Sequence, residues 1–284
     1  MKKLFLILAF ISVQLSAQQL EKSLLWKISG NGIEEASYLF GTIHLSCDAT
    51  LPEKVVKALD ETNQLYLELD MSDPSMQQKM MSNMMMTEGK TLSEIITPED
   101  FNVLNDFLQK KLGYTLAMLN TVKPFIITSM FYPSLLDCEI KSIEESLMTI
   151  TKQQNEKVLG LETVEEQLKV FDEIPYEVQA KELVKSAKNN LENDKQEYES
   201  LLKIYASENI EALYQAILDS ENEVNSNYEE KLLSNRNKNW IPIIEKTMKE
   251  QPTFFGVGAA HLGGAQGVIN LLLEKGYKVE AVLN

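Results

Sequence analysis

Residues 36–44 of the chain are ASYLFGTIH and residues 252–261 are PTFFGVGAAH, and these two stretches decide the fold. In each, a run of aromatic and aliphatic residues leads to a glycine that is followed three positions later by a histidine. Such runs are typical of buried β-strands that end in a loop. His44 and His261 are the two histidines of the chain, so both belong to this GxxH motif. The sequence therefore predicts two strands with equivalent ends.

A helix and a further strand are predicted after each GxxH motif. Residues 53–62 (EKVVKALDET) have helical apolar spacing, and residues 64–69 (QLYLEL) return to a strand pattern. Near the C terminus, residues 265–275 predict a helix that ends at Gly276, and residues 277–283 predict a strand. The two halves therefore predict two βαβ-like units in one sheet.

The region between these units is predicted to be mostly helical. Residues 71–86 hold seven of the 12 methionines and predict a flexible apolar helix, with a copper-binding thioether site as the alternative. Residues 157–161 (KVLGL) indicate a short buried strand, and residues 176–250 are acidic and helical. A glycine-rich turn at 30–32 predicts a hairpin of the first two strands. We predict a single α/β domain with a central mixed sheet, built from two βαβ-like GxxH units, and a large helical middle.

The charge balance of the chain excludes some classes of partner. The sequence has 42 acidic and 27 basic residues, which gives a formal net charge of −15. Binding of nucleic-acid phosphates requires a basic surface, so we predict no nucleic-acid partner. The same acidic excess disfavours an electrostatic attachment to anionic lipid. A peptide or a small molecule remains as the predicted substrate, and the sequence does not indicate an oligomeric state.

The N-terminal residues predict export. Two lysines precede an apolar run over residues 4–15, and small residues follow this run. Because the run is shorter than a transmembrane helix requires, we predict a signal peptide over residues 1–17 and a mature domain over residues 18–284. An uncleaved membrane anchor is the alternative. Cleavage would leave a periplasmic or extracellular protein without stable membrane insertion.

Two cysteines, Cys47 and Cys138, are relevant to this prediction. In an oxidising compartment a disulfide between them would persist, and two separate buried thiols are the alternative. Neither cysteine has the spacing of a CxxC redox pair or of a zinc site.

Side chains at the predicted strand ends indicate a site. Open α/β sheets bind ligands at the carboxyl ends of their parallel strands, and a neutral imidazole there acts as a metal ligand or as a general base. Because two histidines alone make a weak metal site, oxygen ligands are needed. Glu68 lies near the end of the strand at 64–69, and Glu162 follows the one at 157–161. We predict that His44, His261 and Glu68 bind a divalent ion such as Mn²⁺, Co²⁺ or Zn²⁺.

With these residues, the chain resembles the TraB/PrgY/GumN family, which includes the Tiki metalloproteases. The resemblance implies a single α/β domain related to the erythromycin-esterase and ChaN-like folds, and it adds Glu162 and Arg236 to the pocket. In the Tiki branch, two GxxH motifs and an acid serve metal-dependent peptide cleavage. At Ser142-Ile143-Glu144 the chain departs from the family pattern, so the resemblance assigns no role to Glu144. The matching motifs are YLFGTIHL at 38–45, LP at 51–52, the Glu68 strand, KP at 123–124, GLET at 160–163, Arg236-Asn237 with Trp240, GAAHL at 258–262 and GV at 267–268.

Three functions follow as hypotheses. The first is an exported metal-dependent hydrolase that cleaves peptides with a metal-activated water. In that mechanism Glu68 or Glu162 is the general base, and Arg236 stabilises the oxyanion. The second is a protein that binds a peptide or small ligand without turnover. The third is a metal-free esterase with a histidine as the general base.

Overall fold

The computed structural model describes residues 20–283, so the predicted signal peptide lies outside the described residues. Within them, six strands form one mixed sheet in the order β4-β3-β5-β2-β1-β6. The strands are β1 (Leu25–Ser29), β2 (Ser37–Thr42), β3 (Gln64–Leu67), β4 (Lys157–Gly160), β5 (Phe254–Gly258) and β6 (Lys278–Ala281).

Fourteen α-helices are found in the part of the chain that the structure describes, and most of them lie between β3 and β5. None of the helices within residues 20–283 has the length and apolar character needed to cross a membrane. The helices are α1 (Glu53–Asp60), α2 (Met76–Ser82), α3 (Leu92–Ile95), α4 (Pro98–Leu112), α5 (Leu116–Leu119), α6 (Pro124–Ser129), α7 (Ile143–Gln153), α8 (Val164–Asp172), α9 (Tyr176–Lys188), α10 (Glu192–Ala206), α11 (Ile210–Leu218), α12 (Glu223–Asn227), α13 (Asn235–Glu250) and α14 (Val268–Glu274).

The predicted hairpin is confirmed. Strands β1 and β2 pair in antiparallel fashion, and β1 also pairs with β6 in antiparallel fashion. The turn between β1 and β2 has positive φ angles at Gly30, Asn31 and Gly32, of 79°, 46° and 84°. Glycine and asparagine adopt this left-handed region at the lowest cost, which explains the turn's composition.

The two GxxH strands are direct neighbours in the sheet. Strand β5 pairs in parallel with β2 on one side and with β3 on the other. Strand β4 extends the parallel part beyond β3. The two predicted βαβ-like units are therefore interleaved, since β5 of the second unit lies between β2 and β3 of the first. This arrangement brings the carboxyl ends of four strands to one edge of the sheet.

The core consists of two clusters of buried side chains. The larger one surrounds the sheet and includes Leu25, Leu39, Phe254 and Phe255, each fully buried. All six residues of β2 are buried, because helices cover both faces of the sheet. The smaller cluster lies among the helices of the middle region. Its fully buried members include Leu92, Leu104, Leu108, Leu116, Ile127, Ala180 and Leu183.

One of the two helical regions, the methionine-rich one, is shorter than the sequence predicts. Of the methionine-rich stretch 71–86, only α2 is helical. Its last residues pair instead with residues 121–123, since Met86 N donates to Thr121 O at 2.7 Å and Lys123 N to Met84 O at 2.9 Å. The acidic stretch 176–250 is mostly helical, as the sequence predicts, and it is divided into five α-helices; the first break includes Leu191 at a φ of 68°.

We predict that Gly264→Ala strongly destabilises the loop that follows His261. Gly264 has a φ of +76°, and a Cβ there would lie 2.5 Å from Cε1 of Tyr214. Left-handed backbone and overpacking together are expected to lower the free energy of unfolding by about 2–4 kcal/mol. The measurement is urea denaturation, and Gly276→Ala is the matched control. Gly276 has a similar φ of +88° but open space around its Cβ position, so equal losses in the two variants would contradict the steric argument.

Candidate functional site

The carboxyl edge of the parallel strands carries all of the predicted site residues that follow strands. His44 lies two residues beyond β2, and Glu68 directly follows β3. Glu162 lies two residues beyond β4, and His261 ends a 3-10 turn that begins right after β5. Parallel pairing therefore places these four residues at neighbouring strand ends, as the sequence predicts.

The glycines of the two GxxH motifs are explained by close packing between the motifs. A Cβ at Gly41 would lie 2.9 Å from Cβ of Ala259, which belongs to the second motif. A Cβ at Gly258 would lie 3.2 Å from Oε1 of Glu68. Because Gly258 lacks this atom, its amide approaches Glu68 and donates a hydrogen bond of 2.8 Å to Oε1. Each glycine thus permits an approach that a side chain would obstruct.

Arg236 is the centre of the site and the single arginine of the chain. It lies on the first turn of α13, directly after a π-helical turn over Glu230–Ser234. Such turns add a residue to a helix and frequently occur at functional sites, where they change the direction of a side chain. The guanidinium is only 11% exposed. The sequence signal that marks this position is the single arginine in a chain whose other basic residues are lysines and two histidines.

All five N–H groups of Arg236 have acceptors. Nε faces both oxygens of Glu162 at 3.1 and 3.2 Å. Nη2 donates to Oε2 of Glu68 and to Oε1 of Glu162, at 2.5 Å each. Nη1 donates to the carbonyl of Leu232 at 3.0 Å and to Nε2 of His261 at 3.1 Å. No donor of the guanidinium is left over for a substrate in this arrangement.

The two carboxylates around Arg236 have further donors. Gln167 on α8 donates to Oε2 of Glu68 at 3.3 Å and to Oε1 of Glu162 at 3.0 Å. Trp240 donates its indole N–H to Oε2 of Glu162 at 3.2 Å. Burial acts to raise the pKa of Glu68, but the charge of Arg236, together with the two histidines and the Gly258 amide, holds that pKa well below its usual range. Glu68 is therefore ionised at neutral pH.

The protonation state of His261 follows from its neighbours. The Asn237 amide nitrogen donates to the carbonyls of Gln266 at 2.8 Å and of His261 at 3.3 Å, so its Oδ1 is an acceptor. Nδ1 of His261 consequently carries the proton and donates to that oxygen at 2.6 Å. Nε2 is left with a lone pair, which accepts from Arg236. Burial, opposed by Glu68 and reinforced by Arg236, lowers the pKa of His261 to about 3, so the ring is neutral.

His44 has a different environment from His261. Its side chain is 70% exposed, and its Nδ1 donates to Oε1 of the buried Glu144 at 2.9 Å. Thr42 also donates to Oε1 at 2.8 Å, and Ser142 donates to Oε2 at 2.9 Å. The hydrogen bond to Glu144 raises the pKa of His44 above its usual value. His44 therefore presents Nε2 to solvent from an oriented imidazole.

Glu144 is a site residue that sequence reasoning did not find. It lies on the first turn of α7, about a hundred residues from its partner His44, and is not part of a strand-end motif. The available signal was Ser142, which caps α7 by accepting from Glu145 N at 3.2 Å. Glu144 comes two residues after this cap and lies on the buried side of α7. There its carboxylate contacts Thr42 at the end of β2.

The segments that carry His44 and Glu144 are joined in two ways. Ser46 and Lys141 exchange backbone hydrogen bonds of 3.1 and 2.8 Å, and a disulfide links Cys47 to Cys138. Of the two alternatives that the sequence left open for the cysteines, the structure therefore has the bridge. His44 and Glu144 lie just outside the loop that this bridge closes, so both links hold the two segments together beside the pair.

Replacing both cysteines by serine is expected to lower the free energy of unfolding by about 2–5 kcal/mol. The bridge spans a sequence separation of 91 residues, so its loss frees a long loop in the unfolded chain. Urea denaturation of the Cys47→Ser/Cys138→Ser variant measures the change. Wild type treated with a reductant is the matched comparison, and it should lose the same amount. A variant as stable as oxidised wild type would contradict the expectation.

The predicted metal ligands do not fit a metal ion as they are arranged. Within residues 20–283, no three His, Cys, Asp or Glu side chains are grouped so that they could hold one. Nε2 of His261 and Oε2 of Glu68 are directed at the guanidinium of Arg236 instead. His44 is turned toward Glu144. A metal bound by His44, His261 and Glu68 stays a prediction, and it requires Arg236 to withdraw.

Two clefts lie elsewhere, along α9. Their volumes are about 570 and 560 Å³. The lysines that line the first cleft are already paired, for example Lys181 with Glu223 and Lys188 with Asp100. We therefore place the candidate site at the strand ends and not in these clefts.

A mixed sheet whose carboxyl edge carries two GxxH histidines around an Arg–Glu cluster defines an α/β protein of the paired-GxxH class. The model of the TraB/PrgY/gumN family matches residues 24–281, and the chain belongs to this family. The predicted family is thereby confirmed.

Two curated relatives are metalloproteases by name. The chain is similar to Metalloprotease TIKI1 of Danio rerio, with 22% identity over 315 residues, covering 91% of the chain and 63% of that protein. It is also similar to Metalloprotease TIKI2 of Danio rerio, with 20% identity, covering 91% of the chain and 60% of that protein. The chain thus spans about three fifths of the length of these relatives. No solved structure matches, so the relation to erythromycin-esterase and ChaN-like folds stays a prediction.

Proposed function

We propose that this protein is a hydrolase and that His44 is the group that activates its water. The observation that carries the proposal is an exposed imidazole whose Nδ1 is bound to a buried carboxylate, Glu144. A carboxylate in that position fixes the tautomer in which Nε2 is the base and stabilises the imidazolium that forms. Of the three hypotheses from the sequence, this geometry favours a histidine as the general base.

The proposed reaction needs one residue that moves a proton. Nε2 of His44 takes a proton from water while the water oxygen forms a bond to the substrate carbonyl carbon. The imidazolium then returns that proton to the leaving group as the bond from the carbonyl carbon to that group breaks. Because Glu144 raises the pKa of His44, the base form is favoured as the pH increases above neutrality. The rate should therefore increase with pH in that range.

We assign Glu68, Glu162 and Arg236 a positioning role in this reaction. Both oxygens of each carboxylate accept hydrogen bonds, and every donor of the guanidinium is engaged. These side chains connect the ends of β3 and β4 to α13 and the second GxxH motif. This role differs from the acid–base and oxyanion roles that the sequence predicts for them.

Peptides are the proposed substrate class. The support is the similarity to two relatives named metalloproteases, together with the family to which the chain belongs. A dependence on Mn²⁺, Co²⁺ or Zn²⁺ rests on the same resemblance. Two of the predicted ligands, His261 and Glu68, face a guanidinium, and the proposed reaction therefore uses no metal ion. Esters are the more easily hydrolysed probe for the same chemistry.

The test is hydrolysis of a peptide library and of a p-nitrophenyl ester, with and without a chelator. We expect cleavage by wild type in both conditions and a rate lower by about 10²–10⁴-fold in His44→Gln. Activity that vanishes with the chelator and returns with Mn²⁺ or Zn²⁺ would replace this mechanism by the metal-dependent one. A wild-type rate in His44→Gln would remove His44 from the mechanism.

A binding protein without turnover is the second candidate. The observation in its favour is a set of exposed methionines, with Met81 63%, Met85 49% and Met118 64% exposed. Methionine adapts to different apolar partners and is frequent on promiscuous binding surfaces. Saturable peptide binding, with intact peptide recovered afterwards, would favour this candidate over the hydrolase.

We also propose that the protein is exported. The disulfide between Cys47 and Cys138 supports this, because disulfides persist in oxidising compartments. The test is cell fractionation of the full chain and of a chain that lacks residues 1–17. We expect the full chain in the periplasm or medium, and the shortened chain in the cytoplasm. Equal cytoplasmic retention of both would contradict export.

A further inference from the structure

The site already contains a cation, surrounded by the side chains that would otherwise bind a metal. The Arg236 guanidinium contacts oxygens of Glu68 and Glu162 and the lone pair of His261. Carboxylate oxygens and neutral imidazole nitrogens are common ligands of divalent metal ions. We infer that Arg236 is the built-in cation of this cage and that its guanidinium excludes a divalent metal ion from it. The inference is independent of the role proposed for His44.

The guanidinium uses most of the acceptor atoms of the cage. It engages both oxygens of Glu162, one oxygen of Glu68 and Nε2 of His261. The remaining oxygen of Glu68 accepts from the Gly258 amide. No donor atom of the three side chains is left directed at an open position. A metal ion would need several of these atoms at once, so it and the guanidinium cannot share the cage.

The charge of the cluster also disfavours a divalent ion beside Arg236. Glu68 and Glu162 contribute two negative charges and Arg236 one positive charge, with His261 neutral, so the buried cluster has one net negative charge. A divalent ion added beside Arg236 would meet like charge at short range in a poorly hydrated environment, which is costly. Without Arg236 the cage would have two negative charges and a free imidazole nitrogen, which suits a divalent ion.

The use of arginine at position 236 also fits a permanent cation in the cage. The chain uses lysine for every other basic residue, yet this position has arginine. A guanidinium is a planar fork with five donors, and it can bind two carboxylates and an imidazole at the same time. A lysine ammonium has three donors and would leave acceptors of this cage unpaired. The fit between the fork and its acceptors indicates a permanent occupant.

The test uses Zn²⁺ and Mn²⁺ alone as probes, on wild type and on Arg236→Met after removal of adventitious metal with a chelator. Elemental analysis and calorimetric titration measure binding, and thermal unfolding measures its effect on stability. We expect no stoichiometric ion in wild type and no increase of its Tm with millimolar metal. Arg236→Met should bind at least about tenfold more tightly, because a nearby positive charge has been removed.

Three controls make the outcome specific. Lys238→Met removes an exposed positive charge two residues away, and it should gain no affinity. Glu68→Gln added to Arg236→Met should abolish the gain. If Arg236→Met does not fold, the measurement on wild type tests the inference. The absence of a stoichiometric ion in wild type then supports it. A stoichiometric ion in wild type that is lost in His261→Gln overturns it, as does a folded Arg236→Met without any gain.

Discussion

Arg236→Met is expected to lower the free energy of unfolding by about 3–5 kcal/mol, the usual cost of removing one partner of a buried ion pair. The substitution leaves the buried carboxyl groups of Glu68 and Glu162, at 12% and 7% exposure, without their counter-ion. It also removes the donor to Nε2 of His261. Urea denaturation measures the loss, and Tm should fall by about 2–4 °C for each kcal/mol.

The matched control is Lys238→Met, on the same helix and exposed, which should change the free energy of unfolding by less than about 0.5 kcal/mol. A second comparison tests the cause. If uncompensated charge is responsible, adding Glu68→Gln and Glu162→Gln to Arg236→Met should restore part of the stability. A triple variant less stable than Arg236→Met would show that packing, and not charge, dominates the loss.

The sequence predicts the strands and their ends well because those signals are local. Aromatic and β-branched runs mark β2 and β5, and each run ends at a glycine with a physical reason for being there. Parallel strands in one sheet must present their carboxyl ends at one edge, so the gathering of His44, His261 and Glu68 follows from topology alone.

Strand order and the partner of His44 could not be predicted in this way. No local pattern states that β5 lies between β2 and β3, since that order results from the packing of all the helices. Glu144 resembles any other acid in the first turn of a helix, where carboxylates are common. Its role depends on α7 being placed under the end of β2 by contacts distant in sequence. The methionine stretch lost its helical pattern at Met84–Met86 for the same kind of reason, a pairing with residues 121–123.

The two histidines show why identical motifs do not imply identical roles. His261 is 5% exposed, neutral and bound at both ring nitrogens, whereas His44 is 70% exposed and bound at Nδ1. The sequence motif places both at strand ends, but the residues that face them differ. Asn237 and Arg236 enclose one ring, and Glu144 supports the other. The chemistry therefore depends on residues outside the motif.

If the chain is a hydrolase, His44→Gln should lower kcat/KM by about 10²–10⁴-fold, the usual contribution of a general base. Glutamine retains a polar side chain at this exposed position but cannot take the proton from water. Because the wild-type side chain is 70% exposed, the fold should remain intact, which circular dichroism and Tm check. The measurement is steady-state kinetics on the best peptide or ester found with wild type.

Glu144→Gln separates the orienting role of the carboxylate from the role of the base. It removes the charge that raises the pKa of His44, so the rise of kcat with pH should move to lower pH as kcat falls. Glu145→Gln, one residue along α7 and exposed, is the matched control and should leave both the rate and the pH profile unchanged. A Glu144→Gln profile with the wild-type midpoint would mean that His44 is not the group whose deprotonation limits the rate.

Since Glu144 is buried against Thr42 and Ser142, its loss also tests whether the end of β2 depends on this carboxylate for its position.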